Sequence, residues 1–225
     1  MSGPLRLVIF DVDGTLVDSQ ADILAAFAQA FAVVGRPVPE PKDVMAIVGL
    51  SLDVAVRRLV PQISDADCAA VVEAYKDAYV ALRASMPISH SSPFYPGARD
   101  VLDRLQAIPE VLLGIATGKS RRGLDHLIKG HGLEGLFVTQ QVADFHPSKP
   151  HPSMILQAMA DAGVDASQTV MVGDTSYDME MAAAAGVAGI GVNWGYHAAE
   201  ALGAARHVID RFDELPGVLD KIWSL

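Results

Sequence analysis

The stretch Asp11-Val-Asp-Gly-Thr-Leu-Val-Asp18 follows directly on the short apolar run Leu5–Phe10. The apolar run predicts a buried strand, and Gly14 allows the chain to turn sharply after it. Asp11 and Asp13 are two positions apart, so in an extended chain their side chains point the same way. Both would lie at the carboxyl end of a strand, which is where open α/β sheets bind their ligands.

Further apolar runs predict the rest of a parallel sheet, because continuous apolar runs suit strands that are covered on both faces. The predicted strands are Leu5–Phe10, Leu112–Ala116, Leu136–Val138, Thr169–Val172 and Ala188–Val192, with His207–Ile209 as a sixth candidate. Between them lie helical patterns at Gly97–Gln106, Arg121–Gly130, Pro152–Ala162 and Tyr177–Ala185. This alternation predicts an α/β protein with a doubly wound, Rossmann-like parallel sheet.

The chain between the first two predicted strands has a different character, since only helical patterns occur there. The predicted helices are one capped by Ser19 and running to Val33, then Pro41–Ile47, Leu52–Leu59 and Asp65–Met86. Roughly seventy residues are too many for a plain connection. We therefore expect a small helical domain at residues 19–90, which returns through the polar segment Ser89–Pro93. Residues 1–18 and 91–225 would form the α/β core domain.

A second acidic motif, Val-Gly-Asp174-Thr-Ser-Tyr-Asp178, follows the predicted strand Thr169–Val172. In a parallel sheet the two strand ends can meet at one edge, which would crowd Asp174 with Asp11 and Asp13. Crowded carboxylates repel one another unless a cation joins them. Mg²⁺ prefers one or two carboxylates, waters and a substrate phosphate, so the pattern predicts Mg²⁺ as a cofactor. Taken alone, the second motif could equally be a helix cap.

Two further motifs are suited to binding an anion. Thr117-Gly118-Lys119 lies between a predicted strand and a helix, where a hydroxyl, backbone N–H groups and a helix N-terminus suit a phosphate. Lys149 lies in Ser-Lys-Pro-His-Pro, before another predicted helix, and can act as a point charge on a phosphate. Each feature has an ordinary structural explanation, either as a turn or as a solvated lysine. The functional interpretation depends on all four motifs occurring in order at the ends of elements.

The composition indicates a folded globular protein, since half of the 225 residues are hydrophobic and a fifth are charged. The net charge is −10 and no dense Lys/Arg run occurs, so we expect no nucleic-acid partner. Cys68 is the only cysteine, which fits a reducing compartment such as the cytoplasm. The first apolar run contains Arg6 and does not suit a signal peptide. Met181–Ala199 lacks charges but holds four glycines, so we expect no membrane span.

Together, the four motifs resemble those of the haloacid-dehalogenase-like superfamily of phosphohydrolases. The resemblance runs the length of the chain, from Asp-x-Asp-Gly-Thr through Thr117 and Lys149 to Gly-Asp-x-x-x-Asp. The helical insert resembles the first class of cap domain in that family. Phe94-Tyr-Pro-Gly-Ala98 and the tail Ala205–Leu215 are similar to phosphoglycolate-phosphatase-like members.

This resemblance implies a phosphatase with two distinct aspartates in its first motif. Asp11 would attack phosphorus and form an aspartyl-phosphate. Asp13 would protonate the leaving oxygen and then deprotonate the attacking water. The groups implied to hold the phosphoryl oxygens, besides Asp11 itself, are Thr117, Gly118 and Lys149.

The resemblance also implies a set of metal ligands. Mg²⁺ would bind the Asp11 carboxylate, the backbone carbonyl of Asp13 and the Asp174 carboxylate. Asp178 would orient either Lys149 or a metal-bound water from outside this set.

Other activities are disfavoured by particular positions. Dehalogenases and phosphonatases of this superfamily lack the second aspartate, whereas Asp13 is present here. Relatives of β-phosphoglucomutase carry a cap histidine twelve residues after the nucleophile, and Ile23 stands there. Gly114–Ser120 superficially resembles a P-loop but has three residues between its glycines instead of four. A non-catalytic phosphate-binding protein stays as a further alternative, which the intact catalytic positions disfavour.

The substrate is expected to be a small phosphate ester, with 2-phosphoglycolate as the leading candidate. A sugar phosphate, a nucleotide or pyrophosphate are the alternatives. Specificity would come from the insert, with Gly49 in Val48–Ser51 and the side chain of Arg57 as candidate contacts. For Arg57, a solvated helix residue is the other interpretation and the one that we favour. No feature of the sequence indicates an oligomeric state.

Overall fold

A computed structural model describes residues 3–84 and 88–223 of the chain. Six parallel strands form one sheet in the order β3-β2-β1-β4-β5-β6. The strands are β1 (Arg6–Phe10), β2 (Val111–Thr117), β3 (Thr139–Val142), β4 (Thr169–Gly173), β5 (Ala188–Val192) and β6 (His207–Ile209). The first three strands run outward on one side of the sheet, and the last three run outward on the other. The ends of β1 and β4 therefore lie side by side at the switch in direction, as predicted for a doubly wound sheet.

Helices cover both faces of this sheet. The α-helices of the described residues are α1 (Gln20–Val33), α2 (Pro41–Met45), α3 (Leu52–Leu59), α4 (Asp65–Ala84), α5 (Ile88–Ser91), α6 (Ala98–Gln106), α7 (Arg121–His131), α8 (Ser153–Ala162), α9 (Ser176–Ala185) and α10 (Leu215–Trp223). Successive side chains of β1 point to opposite faces. Val8 and Phe10 pack with α6, α7 and α10, whereas Leu7 and Ile9 pack with α8 and α9. Burial on both faces explains why β1 is apolar at nearly every position.

The third strand lies later in the chain than predicted. Leu136–Val138 is not a strand: Phe137 is buried, but Val138 is 53% exposed. The observed strand β3 has the sequence Thr-Gln-Gln-Val and forms an edge of the sheet. Its polar side chains are satisfied locally, since Thr139 and Gln141 both donate to Asp161. An edge strand with polar side chains lacks the apolar run that marks a central strand.

Helices α1 to α4 form most of a second hydrophobic cluster, which Tyr177 of α9 joins from the core. Phe27 and Phe31 of α1 pack there with residues of α3 and α4, and the lone Cys68 is buried in the same cluster. The bounds of α3 are those predicted, whereas α2 ends at Met45, before the predicted Ile47. The predicted helix Asp65–Met86 is described as far as Ala84, and its end lies outside the described residues.

We propose that this cluster marks residues 19–90 as a cap domain on a core formed by 1–18 and 91–225. The polar return segment Ser89–Pro93 overlaps the short helix α5, whose first residue, Ile88, is buried. Within 3–84 and 88–223, no helix is long and apolar enough to cross a membrane.

Candidate active site

Asp11 lies directly after the central strand β1, and its backbone N–H donates to the carbonyl of Val172 at 2.9 Å. Its side chain is 1% exposed and lines a cavity. Asp11 Oδ1 lies 2.8 Å from Lys149 Nζ, whereas Oδ2 is buried with no hydrogen-bond donor among the described residues. Burial raises the pKa of Asp11 to about 7, although the charge of Lys149 opposes this rise. The negative charges of Asp178 and Asp13 contribute further to the raised pKa.

Lys149 is fully buried between two carboxylates. Its Nζ lies 2.8 Å from Asp11 Oδ1 and 2.7 Å from Asp178 Oδ1. Burial by itself lowers the pKa of Lys149, but the two carboxylates outweigh burial and the net shift is upward. Lys149 is therefore a cation in contact with Asp11, which suits a group that would hold a phosphoryl oxygen.

Asp178 serves two structural purposes at once. Its Oδ2 accepts from the backbone N–H of Thr175 at 3.1 Å and from the Thr175 hydroxyl at 2.7 Å, which completes the cap of α9. Its Oδ1 accepts from Lys149. The two explanations considered for this residue, a helix cap and a partner of Lys149, both apply.

Asp174 directly follows β4 and is fully buried. Its Oδ1 accepts from the Thr15 hydroxyl at 2.8 Å, and its Oδ2 accepts from the backbone N–H of Tyr196 at 2.8 Å. A Cβ atom at either Gly14 or Gly195 would collide with the Asp174 side chain. Burial raises the pKa of Asp174 well above its usual value, and the charges of nearby Asp11 and Asp178 add to the rise.

Asp13 differs from Asp11 because both of its carboxylate oxygens have partners. Oδ1 accepts from the Ser19 hydroxyl, and Oδ2 lies 2.7 Å from Lys119 Nζ. Ser19 is the N-cap residue of α1, as predicted, but its hydroxyl bonds Asp13 instead of a helix amide. Lys119 in turn donates to the Tyr79 hydroxyl at 3.2 Å, which links Asp13 to helix α4 of the insert.

Thr117 is the last residue of β2 and is 1% exposed, with its side chain on the same cavity as Asp11. Its hydroxyl oxygen accepts from the backbone N–H of Lys119 at 3.2 Å. Gly118 faces the insert, because a Cβ there would collide with the backbone carbonyl of Gly49. Helix α7 begins shortly afterwards, capped by Ser120.

The carboxylate cluster fits a hard divalent cation. Carboxylate oxygens of Asp11, Asp174 and Asp178 all lie within 4.8 Å of one another, and all three residues are buried. Lys149 contacts two of them, so three carboxylates face one ammonium group within this cluster. The excess negative charge and an Asp11 Oδ2 that receives no hydrogen bond from residues 3–84 or 88–223 together suit Mg²⁺. The side chain of Asp13 is held by Ser19 and Lys119, so we propose that its metal contact is through its backbone carbonyl.

A cavity of about 650 Å³ lies between the sheet edge and the insert. Asp11, Asp13, Thr117 and Gly118 line it on the core side. The insert contributes a loop that comprises Val48, Gly49, Leu50 and Ser51. The backbone of Gly49 has φ +99°, which is a conformation that favours glycine, and it approaches Gly118 closely.

The structure does not bring Arg57 to this cavity. The Arg57 side chain is about half exposed on α3 and lies 2.9 Å from Asp65. It is absent from the residues that line the cavity in the described part of the chain. Arg57 is therefore described more simply as a partly exposed helix residue that forms an ion pair with a nearby carboxylate.

Several residues that contact the predicted site residues received no role there from the sequence, among them Ser19, Lys119 and Tyr196. Lys119 stands in the quoted run Thr117–Lys119, where only its neighbours received roles. Tyr196 lies far from the motifs in sequence, yet its backbone holds Asp174 and its hydroxyl accepts from the Ser19 N–H at 3.0 Å. No local pattern indicates such a contact across 177 positions.

Paired aspartates after β1 and a buried lysine thus meet at one edge of a doubly wound α/β sheet. Residues 8–192 match the haloacid dehalogenase-like hydrolase family, and the chain belongs to that family.

Related proteins cover nearly the whole chain. It is 35% identical over 224 residues to "Probable phosphatase IndB" of Dickeya dadantii, and the alignment covers 97% of this chain and 95% of the relative. It is 34% identical to a phosphoglycolate phosphatase of Pseudomonas savastanoi, and this alignment covers 96% of this chain and 80% of the relative. The fold is similar to that of a predicted phosphoglycolate phosphatase from Haemophilus somnus, with a TM-score of 0.83 and 23% identity. That match covers 97% of this chain and 99% of the other.

Proposed function

We propose that the chain is a Mg²⁺-dependent phosphatase that hydrolyses small phosphate monoesters through an aspartyl-phosphate on Asp11. The environment of Asp11 is the observation that carries the proposal. Its carboxylate is buried at a cavity and touches the cation of Lys149 through one oxygen, while the other oxygen has no hydrogen-bond donor within the described part of the chain. A carboxylate that neighbouring donors do not fully satisfy is suited to act as a nucleophile.

The reaction has two steps, both of which use Asp13. In the first, an Asp11 oxygen bonds to phosphorus, the ester P–O bond breaks, and a protonated Asp13 gives its proton to the leaving oxygen. In the second, water attacks the phosphorus of the aspartyl-phosphate while Asp13 takes a proton from that water, which releases inorganic phosphate and restores Asp11. Ser19 and Lys119 hold the Asp13 carboxylate in place for both transfers.

Cationic and neutral donors would stabilise the phosphoryl group in this scheme. The Lys149 ammonium group, the Thr117 hydroxyl and the backbone at Gly118 would bind its oxygens. The ion pair with Asp178 keeps Lys149 charged and fixes its orientation towards Asp11. Mg²⁺, held by Asp11, Asp174 and the Asp13 carbonyl, would neutralise negative charge on the phosphate.

The names of the relatives support 2-phosphoglycolate as the first substrate to test, with a sugar phosphate, a nucleotide or pyrophosphate as alternatives. A mutase stays disfavoured, since the cap position that would need a proton-transferring histidine is Ile23, which is buried on the wall of the cavity.

A buried, unpaired Cys68 fits the proposed cytoplasmic location.

The test is release of inorganic phosphate by the purified protein. With p-nitrophenyl phosphate and a panel of phosphorylated metabolites, we expect turnover in Mg²⁺ and loss of turnover in EDTA, restored when Mg²⁺ is returned. Turnover that persists at the full rate in a metal-stripped sample would contradict the metal dependence. No phosphate release from any ester in Mg²⁺ would contradict the proposed activity and favour a non-catalytic phosphate-binding protein.

A further inference from the structure

The cavity next to Asp11 is larger than a small acid requires. Its volume of about 650 Å³ lies in the middle of the range of roughly 300–1,000 Å³ that is typical of sites for drug-sized ligands. The phosphoryl group would occupy only the end that is formed by Asp11, Asp13 and Thr117. A two-carbon leaving group would leave most of the remaining space unfilled.

A row of aromatic rings forms part of the far wall. Phe27 and Tyr75 have ring centroids 4.6 Å apart and are tilted by 53°, while Tyr75 and Tyr79 are 5.6 Å apart and nearly parallel, at 14°. All three residues line the cavity. The row thus connects α1 and α4 of the insert through side chains that face the same space.

The Tyr79 end of this row is linked to Asp13, the proposed acid–base residue, through Lys119. Tyr79 accepts from Lys119 Nζ, which lies 5.1 Å from the centre of the Tyr79 ring, and Lys119 is paired with Asp13. The oxygen that Asp13 would protonate is the first atom of the leaving group. A leaving group attached there would therefore enter the cavity beside Tyr79 and continue towards Tyr75 and Phe27.

The rest of the wall that the insert contributes is mainly apolar. The aliphatic side chains on it are Ile23, Ile47, Val48, Leu50, Leu52, Ala55, Val72 and Val80. Enclosing an apolar group here would remove it from water, and aromatic rings pair favourably with other rings in tilted or offset arrangements.

From this wall we propose that the preferred substrate is a phosphate monoester whose leaving group carries an aromatic ring, which packs against Phe27, Tyr75 and Tyr79. This inference rests on the proposed phosphatase function and specifies its substrate class. It favours an ester with a ring over 2-phosphoglycolate, the candidate that the names of the relatives support.

A matched pair of substrates tests the inference on the unmodified protein. Ethyl phosphate and 2-phenylethyl phosphate are both primary alkyl esters, so their leaving groups have similar chemistry and differ in the ring. Burial of the ring should raise kcat/KM for 2-phenylethyl phosphate by about 10- to 100-fold over ethyl phosphate. We expect 2-phosphoglycolate, measured in parallel, to have a kcat/KM below that of 2-phenylethyl phosphate.

A cavity-filling variant locates the effect. Val72→Phe places a ring inside the cavity and should lower the ratio of the two kcat/KM values by about tenfold, because the space for the ring of the substrate is then occupied. Val33→Phe is the matched control, since Val33 is 74% exposed at the end of α1 and does not line the cavity. It should keep the wild-type ratio. If Val72→Phe does not fold, Tyr75→Leu, which removes one ring of the row, is expected to lower the same ratio.

The outcomes separate this inference from the proposed function. Equal kcat/KM values for the two alkyl esters, or a higher value for 2-phosphoglycolate, would overturn the inference while the phosphatase stands. A ratio that falls equally in Val72→Phe and Val33→Phe would also overturn it, because the effect would not depend on the cavity. Hydrolysis of none of these three esters would overturn the inference alone if other esters of the panel are hydrolysed, and would overturn the proposed function as well if no ester is hydrolysed.

Discussion

The two sides of the cavity are built in different ways. On the core side, Asp11, Asp13, Thr117 and Asp174 are held at strand ends by hydrogen bonds or ion pairs. On the side of the insert, the cavity is walled mainly by apolar and aromatic side chains from helices that pack on one another. The difference indicates that polar contacts position the reacting groups, whereas the wall depends on shape and apolar character. We therefore expect core variants to impair every substrate and wall variants to change the ranking of substrates.

The largest effect is expected from Asp11→Asn. Removal of the carboxylate removes the proposed nucleophile and one metal ligand, so kcat/KM should fall by roughly 10⁴-fold or more for every ester. Asp18→Asn is a matched control in the same motif, because Asp18 is exposed and does not line the cavity. Phosphate-release assays on both variants test this. Loss of activity on bulky esters alone would remove the distinction between the two sides of the cavity.

Asp13→Asn should have a smaller effect that depends on the leaving group. The amide cannot transfer a proton, which costs roughly 10²- to 10⁴-fold for an alkyl ester. An Asn retains the backbone carbonyl, so Mg²⁺ and substrate should still bind. When phosphoenzyme formation limits the rate, p-nitrophenyl phosphate should be less affected because its leaving group scarcely needs a proton. Equal losses for ethyl and p-nitrophenyl phosphate under that condition would argue against Asp13 as the acid.

Asp174→Asn should change stability in opposite senses with and without metal. The pKa of Asp174 is raised well above its usual value. At neutral pH, an ionised Asp174 therefore destabilises the folded state when no metal is bound. An amide can keep both contacts if its oxygen accepts from Tyr196 and its nitrogen donates to the Thr15 hydroxyl.

In EDTA at pH 7.5, the melting temperature of Asp174→Asn should therefore exceed that of wild type by about 2–4 °C, for a gain of about 1 kcal/mol. In Mg²⁺ the wild type should gain stability and the variant should gain much less. Asp103→Asn, at an exposed helix pair, serves as the control and should respond to Mg²⁺ as wild type does. A variant that is less stable than wild type in EDTA, yet is stabilised equally by Mg²⁺, would contradict this account of the cluster.

The difference between the two sides of the cavity also explains which residues of the site could be predicted from the sequence. Asp11, Thr117 and Asp174 could be placed because each lies at or directly after an apolar run, and the ends of parallel strands share one edge of the sheet. Lys149 could be placed from its position before a helix. The contact of Tyr196 with Ser19, the residue that holds Asp13, could not be predicted, since it forms only after β5 has packed beside β4.

The wall of the cavity was harder to predict for a related reason. Phe27, Tyr75 and Tyr79 lie at spacings that any buried helix face could show, and only the packing of α1 on α4 brings them together. Arg57 was a candidate because of its charge, but its side chain pairs with Asp65 and is not among the described residues that line the cavity. The edge strand β3 escaped prediction because two of its four residues are glutamine.

The central claim is that Asp11 forms a covalent bond to phosphorus, and acid-quench trapping tests it most directly. A ³²P-labelled ester is mixed with enzyme in Mg²⁺, the mixture is quenched within milliseconds, and the labelled peptide is identified by mass spectrometry. The account predicts an acyl phosphate on Asp11 in wild type or in Asp13→Asn, and no label on Asp11→Asn. Equal labelling of Asp11→Asn, or label on another residue, would contradict it.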